Sequence, residues 1–392
     1  MSKKSTVVLL RCDSYDPNAV YDAVQRGVSL LGSMDAFFKR DERILLKPNL
    51  LKSAQPDQAV TTHPSVFAAV GRLLQENGFT NLCWGDSPGP GQGKALEKAA
   101  RAAEILQAAG NLSIPQADFE AGVKVPFPQG RTADNFILCK GVVQADAVLN
   151  LCKMKTHAFQ RITGAVKNTY GCVYGMNKGT GHAKYPDVDS FAKMIADLNV
   201  LVKPRLHIMD GIVAMEGNGP GSGDPVPMKV LLFATDPVAL DSVYCRLVNL
   251  DPAEISTNLY GEAYGVGYWR EEDIEIVSAD GVLGMDEVFA LYGNPKFRIP
   301  DGRSRFGALN KLAVFSRLTS SRPVIVRSRC VKCAVCVESC PLEKKAIAMS
   351  PKRGGYPVYD YAKCIRCYCC QELCPHKAIE VATPLTAKKR RR

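Results

Sequence analysis

Eight cysteines near the C-terminus are spaced for metal–sulfur chemistry. They fall in two runs, Cys330-x-x-Cys333-x-x-Cys336-x-x-x-Cys340-Pro341 and Cys364-x-x-Cys367-x-x-Cys370-x-x-x-Cys374-Pro375. Thiolates hold iron–sulfur clusters, and two-residue spacers wrap a tight turn that points three of them at one small volume. Paired zinc sites usually need two Cys-x-x-Cys units at longer separation, not three cysteines in a row closed by Cys-Pro. A disulfide framework needs a secreted chain, and nothing in the sequence indicates one.

The two runs match the bacterial ferredoxin pattern for two [4Fe–4S] clusters. In that pattern the fourth ligand comes from the other copy. The resemblance therefore implies one cluster on Cys330, Cys333, Cys336 and Cys374, and one on Cys364, Cys367, Cys370 and Cys340. Cys369 could replace its neighbour Cys370, although the spacing favours Cys370. The segments Cys340-Pro-Leu-Glu-Lys-Lys-Ala-Ile and Cys374-Pro-His-Lys-Ala-Ile match apart from two extra residues in the first, so the module is an internal duplication.

A second set of reactive side chains lies upstream. Lys47 and Asn49 follow one apolar run, Asp86 and Ser87 another, Lys153, Lys155 and His157 a third, and Asp210 a fourth. Lys167 and Asn168 close the segment that begins at Lys153. If the runs are parallel strands, their C-terminal ends share one sheet edge, where ligands of such sheets bind. Lys153, Lys155, His157 and Lys167 are the catalytic candidates. Lys47, Asn49, Asp86, Ser87, Asn168 and Asp210 are the substrate-binding ones. Clustered lysines suit a carboxylate or phosphate, a desolvated lysine can exchange a proton, and His157 can relay one near neutral pH. Each residue also has a plainer reading. Asp-Ser-Pro-Gly is a common turn, single lysines are usually solvated, and Thr156-His157 can simply cap a loop. The glycines of Gly217–Gly223 permit close backbone approach to a ligand. No Gly-Lys-Ser/Thr phosphate loop is present, and Gly89-x-Gly91-x-Gly93 has the wrong spacing for a dinucleotide fingerprint.

The elements that must position these groups alternate. Strands are expected at 6–10, 43–47, 81–84, 135–139, 147–151, 205–209, 228–233 and 274–277. Helices are expected from Asp16-Pro17, from His63-Pro64 to Asn77-Gly78, over 94–109, over 188–202, and from Asp236-Pro237 to Leu247. This predicts an α/β fold, a mostly parallel sheet covered by helices, over residues 1–290. Residues 291–325 read as a linker or strap, 326–383 as a small α+β two-cluster module, and 384–392 as a basic disordered tail.

The chain has 392 residues, 46% of them hydrophobic, enough for a sizeable core plus a small second domain. The N-terminal apolar run breaks at Arg11, and no stretch reaches bilayer length, so a cytoplasmic protein is expected. The net charge is +11, five charges of it in Lys388–Arg392. No aromatic interleaving accompanies that run, so nucleic acid is not an expected partner.

Lys47-Pro-Asn-Leu, Gly85-Asp-Ser-Pro-Gly, Lys153-x-Lys-Thr-His157, Gly164-Ala-Val-Lys-Asn168, Met209-Asp-Gly-Ile, Gly217-Asn-Gly-Pro and Thr235-Asp-Pro-Val-Ala-Leu-Asp241, in this order, resemble the domain of unknown function 362 family. Many of its members carry a C-terminal ferredoxin module. A more distant likeness is to the nucleotide-binding-like half of nickel-dependent lactate racemases, with no matching cofactor lysine motif. The resemblance implies an architecture rather than a reaction, and three readings stay open. Electrons from two [4Fe–4S] clusters reduce a small anionic substrate, or an unidentified second cofactor, in the first domain. Alternatively, the chain is a carrier that docks an electron donor or acceptor protein. In the third, it is an isomerase-like enzyme with structural clusters. A deep cleft lined by the lysines and His157 favours the first; an edge closed by mutual pairing favours the second.

Overall fold

The computed structural model describes residues 4–89, 94–300 and 321–382. Gly91, Gly93, most of the expected linker and the basic tail lie outside them. Residues up to Tyr292 form an α/β domain. Its strands are β1 (Ser5–Arg11), β2 (Ile44–Lys47), β3 (Leu82–Trp84), β4 (Gly122–Pro126), β5 (Asn135–Cys139), β6 (Ala147–His157), β7 (Arg161–Thr163), β8 (Leu206–Glu216), β9 (Asp224–Ala234), β10 (Ile274–Ser278) and β11 (Gly281–Leu283). The main sheet has the order β11-β10-β1-β9-β8-β6-β2-β3, with β7 on β6. The pairs β3/β2, β2/β6, β6/β8 and β1/β10 are parallel. β9 runs antiparallel between β1 and β8.

The apolar runs are continuous because both faces of the sheet are covered. In β1, Val8 and Leu10 enter one core while Val7 and Leu9 enter the other. In β9, Leu231 and Phe233 join the first core, and Val230, Leu232 and Ala234 the second. Helix Pro17–Leu31 starts at Asp16, whose carboxylate accepts the Asn18 and Ala19 N–H groups. It packs so closely on β9 that a Cβ at Gly27 would lie 2.4 Å from Phe233 Cε2. Gly27→Ala should therefore destabilise the fold by about 1–3 kcal/mol through overpacking, read as a lower denaturant midpoint. An unchanged midpoint would show that Phe233 can move aside.

The C-terminal module contains β12 (Arg322–Ile325), β13 (Ile347–Ser350), β14 (Tyr356–Tyr359) and β15 (Ile379–Ala382). β12 pairs with β15 and β13 with β14, both antiparallel. Each cysteine run ends in a helical turn, Val335–Glu338 or Cys369–Glu372. The duplication is visible in the backbone: Lys332 and Ala334 in the first run, and Arg366 and Tyr368 at the same places in the second, adopt left-handed conformations. No helix among the described residues is long and apolar enough to cross a membrane.

Candidate functional site

β2, β3, β6 and β8 run in the same direction, so their C-terminal ends meet at one edge. Part of that edge is closed by mutual pairing. Lys47 and Asp86 form a buried ion pair of 2.8 Å. Asp86 also accepts the Leu50 and Ser87 N–H groups. Gly171 lies against this pair, and a Cβ there would sit 1.9 Å from Asp86 Oδ1. Lys153 and Asp210 stand opposite each other in the β6/β8 register and are joined at 2.7 Å. The Tyr15 hydroxyl donates to Asp210 Oδ1 at 2.7 Å and accepts from Lys153 Nζ at 2.8 Å. These groups tie the loop after β1 to β6 and β8.

A chain of amides supports the middle of the edge. Asn49 donates to Asn168, Asn168 to Asn150, and Asn150 to His207 Nδ1. Burial pushes the His207 imidazole down to about 3, against a pull upward from the Pro204 backbone. It therefore stays neutral in the fold over a range where the unfolded chain takes up a proton. Stability is complete above about pH 6.5 and falls below it, by about 1.4 kcal/mol per pH unit, until the folded group titrates. His207→Gln should reduce the loss of stability between pH 7 and pH 5 by about 2 kcal/mol in denaturant titrations. An unaltered pH dependence would contradict the neutral buried state.

The rest of the edge opens into a cavity of about 110 Å³. Asn49, Asp86, Ser87, Lys155, His157, Lys167 and Asn168 line it from the α/β domain, and Ser339, Cys340, Pro341, Cys369, Glu372 and Leu373 from the module. Lys47, Lys153 and Asp210 do not reach it. β6 extends to His157, beyond the expected end at Leu151, because β7 pairs with its last residues. Lys155 Nζ donates to the Val60 carbonyl at 2.7 Å, and burial, with Lys167 nearby, holds it well below the ordinary lysine range. Lys167 is lowered by burial and sits 6.0 Å from the centre of the Phe191 ring.

His157 both caps a turn and faces the cavity. Its Nδ1 accepts the Phe159 and Gln160 N–H groups at 3.0 and 3.2 Å, which puts the proton of the neutral ring on Nε2. Nε2 lies 3.0 Å from Glu372 Oε1, close enough for an ion pair but out of line for a hydrogen bond. Burial, then Lys167, pushes His157 down to about 4. Burial also opposes the Glu372 charge, but the groups around it, His157 and Lys167 among them, hold its carboxyl below the usual carboxylate range.

Sequence reasoning missed Lys178, His182 and Glu372. Lys178 Nζ donates to Ser87 Oγ at 2.7 Å and to the Pro88 carbonyl at 2.5 Å, and burial lowers it to about 8. His182 is stacked on Phe191 at 4.4 Å with Nδ1 unpartnered. The run Asn177-Lys-Gly-Thr-Gly-His182 carried the signal, a lysine and a histidine among glycines. Glu372 lay within a cysteine run and read only as spacer. Asn49 Oδ1, His157 Nε2, His182 Nδ1 and Glu372 Oε1 are buried without hydrogen bonds, all on residues that line this cavity. Buried polar atoms rarely stay unsatisfied, so this concentration marks a site with room for a polar ligand.

The eight cysteines surround two hollows of about 20 Å³ each. Cys330, Cys333, Cys336 and Cys374 line the first; Cys364, Cys367, Cys370 and Cys340 line the second. Cys369 lines neither and faces the cavity instead. The Ala346 N–H points to Cys340 Sγ and the Ala378 N–H to Cys374 Sγ, six and four residues on, which is where the two extra residues of the first copy are absorbed. Tyr359 donates to Cys370 Sγ at 3.2 Å. Four thiols around a small apolar hollow, with N–H and O–H donors to sulfur, suit a cubane cluster. Among the described residues no three His, Cys, Asp or Glu side chains converge on a single-ion site. None of the fifteen cysteines is in a disulfide. Cys340 and Pro341 belong to both the second hollow and the cavity, so the two share a wall.

The glycine-rich loop 217–223 receives the module. Gln371 donates to the Asn218 and Gly219 carbonyls, Asn218 donates to the Ile379 carbonyl, and Lys52 Nζ donates to the Cys374 carbonyl at 2.8 Å. At Gly221 a Cβ would lie 2.5 Å from the Glu372 carbonyl oxygen.

Family models match both parts of the chain. The family model for the domain of unknown function 362 matches residues 44–246, and a 4Fe-4S dicluster domain matches residues 329–378. The chain is 37% identical over 262 residues to the thylakoid-associated protein sll1697 of Synechocystis sp., covering 67% of this chain and 80% of that protein. Among solved structures, the lactate racemase apoprotein of Thermoanaerobacterium thermosaccharolyticum is similar at 12% identity and a TM-score of 0.40, over 60% of this chain and 55% of that one. A structural-genomics protein from Thermotoga maritima is similar at 12% identity and a TM-score of 0.36, over 66% of this chain and 60% of that one. The matched domain, the dicluster module and the Synechocystis relative together place the chain in the domain of unknown function 362 family, in a form with a C-terminal 4Fe-4S dicluster domain.

Proposed function

We propose that the chain is a cytoplasmic iron–sulfur oxidoreductase with one [4Fe–4S] cluster on Cys330, Cys333, Cys336 and Cys374 and one on Cys364, Cys367, Cys370 and Cys340. It delivers low-potential electrons to a small anionic substrate, or to a second cofactor, held in the cavity. When bound, the clusters supply single electrons. The observation that carries this reading is the shared wall: Cys340 lines the second hollow and the cavity together. Joining donor and cleft in one chain makes the transfer intramolecular and raises the effective donor concentration.

The chain's own groups divide the remaining work. Lys155, Lys167 and Lys178 outnumber Glu372, while Asp86 is neutralised by Lys47. The cavity therefore carries an excess of positive charge and favours an anion. Asn49 and Asn168 orient it through the amide chain. His157 presents its Nε2–H at the cavity wall and, being neutral, can donate a hydrogen bond to the charge that builds on a reduced substrate. Lys155 and Lys167, with lowered proton affinity, are the proton source. The Phe159 and Gln160 N–H groups hold the His157 ring in place. The pairing of Lys47 with Asp86 and of Lys153 with Asp210 closes only the flank of the edge, which weighs against a purely docking role.

His157→Ala and Lys155→Ala should keep about eight iron per chain and the cluster absorbance. Both should slow reoxidation of the reduced protein by small anionic metabolites at least ~100-fold, the usual scale for losing one aligned donor. Loss of the absorbance would make these residues structural and defeat the reading.

A further inference from the structure

The two hollows differ in what they face, which assigns them a direction. The second is lined by buried or half-buried cysteines and shares Cys340 and Pro341 with the cavity. The first opens outward. Cys333 is the one exposed cysteine of the fifteen, and Val331 beside it is 58% exposed. Lys332, between two residues that line the first hollow, and Arg327 both lie against Tyr356, with Lys332 Nζ 4.6 Å and the Arg327 guanidinium 5.3 Å from the centre of its ring. Both are exposed, and neither forms an ion pair among the described residues. The left-handed backbone at Lys332, imposed by the cysteine turn, fixes the direction in which its side chain leaves the loop. Residues 321–382 carry eleven Lys and Arg against five Asp and Glu. Three of those five are engaged elsewhere: Glu372 at the cavity, Asp360 with Lys363, and Glu380 with Arg329.

We propose that the Val331–Cys333 tip, flanked by Arg327 and Lys332, is the docking face for a small acidic electron-transfer protein, and that electrons enter at the first cysteine set and leave at the second. The inference rests on the redox reading above. An apolar centre with an unpaired cationic rim suits a partner with acidic residues around its own redox group, because rim charges steer encounter and set orientation. Transfer is one electron per encounter: the reduced partner is oxidised by one and the module reduced by one. No other exposed cysteine offers a partner so close an approach.

The test uses the full, cluster-loaded chain and a purified acidic flavodoxin as probe. Binding is measured at low and high salt, and cluster reduction by the fully reduced flavodoxin is followed in a stopped-flow cell. The proposal expects Lys332→Glu and Arg327→Glu each to weaken low-salt binding, and to slow reduction, on the order of tenfold. It expects Lys344→Glu, an exposed charge reversal elsewhere on the module, to have little effect. Iron content and absorbance report whether each variant is intact, and Val331→Ser is a second probe with no charge change. Equal weakening by all three reversals would reduce the effect to net charge and overturn the proposal. So would unaltered binding in Lys332→Glu. So would a wild-type chain that ignores flavodoxin but binds anionic phospholipid vesicles or an oligonucleotide through the same residues. Normal docking and reduction without any cavity-dependent reoxidation would instead defeat the proposed function and leave the docking face standing.

Discussion

Cys374→Ser is expected to remove the cluster of the other cysteine run, lowering iron from about eight to about four per chain. Cys374 closes the hollow built by Cys330, Cys333 and Cys336, although 34 residues separate it from its counterpart Cys340. Its sulfur also receives the Ala378 N–H. A serine oxygen is a harder ligand than a thiolate and suits this cluster poorly. Cys340→Ser is the mirror experiment and should remove the cluster beside the cavity. The two variants should have equal iron contents but different spectra when reduced, since Tyr359 donates to sulfur in only the second hollow. If each run held its own four ligands, the losses would be exchanged: Cys374→Ser would spare the solvent-facing cluster.

Asp210→Asn is expected to destabilise the α/β domain by about 3–5 kcal/mol, because it strands the buried Lys153 ammonium. Asp210 is fully buried and Lys153 nearly so. Asp210 also accepts the His63 N–H at 2.9 Å, so one carboxylate ties β8 to β6 and to the loops around Tyr15 and His63. Burial lowers the proton affinity of Lys153, and Asp210 opposes that shift. Combining Asp210→Asn with Lys153→Met should recover part of the loss, since an apolar replacement leaves no unpaired charge. The denaturant midpoint is the measurement. A cost under about 1 kcal/mol would mean that the ammonium finds other partners or water. Iron content should stay unchanged in both variants, because neither residue touches the module or the cavity.

Much of the architecture was legible because each signal had a local cause. The Asp16-Pro17 and Asp236-Pro237 starts lie at helix N-termini, where the aspartates accept backbone N–H groups. The cysteine runs keep their geometry wherever they stand. The sheet direction was less accessible: Val230–Ala234 of β9 is buried on both faces, and an apolar run carries no mark of whether its neighbours run with or against it. The break in the expected helix over 94–109 comes from a left-handed Glu104, which the alanine-rich pattern does not announce. At the site, the shared sheet edge brought the lysines and His157 near one another in the reading. Which would pair with a carboxylate and which would face open space depends on side-chain partners from distant strands. Glu372 lay beyond reach for a related reason, as its partner His157 is more than two hundred residues away and in the other domain.

The central claim is that the cavity draws its electrons through the Cys340 wall. It is tested most directly with the two single-cluster variants, each reduced anaerobically and mixed with the small anionic metabolites that reoxidise the wild type. Cys374→Ser, which keeps the cluster beside the cavity, should still be reoxidised at a rate that depends on Lys155. Cys340→Ser, which keeps only the solvent-facing cluster, should stay reduced. Equal reoxidation of both variants, or reoxidation of Cys340→Ser alone, would contradict the account.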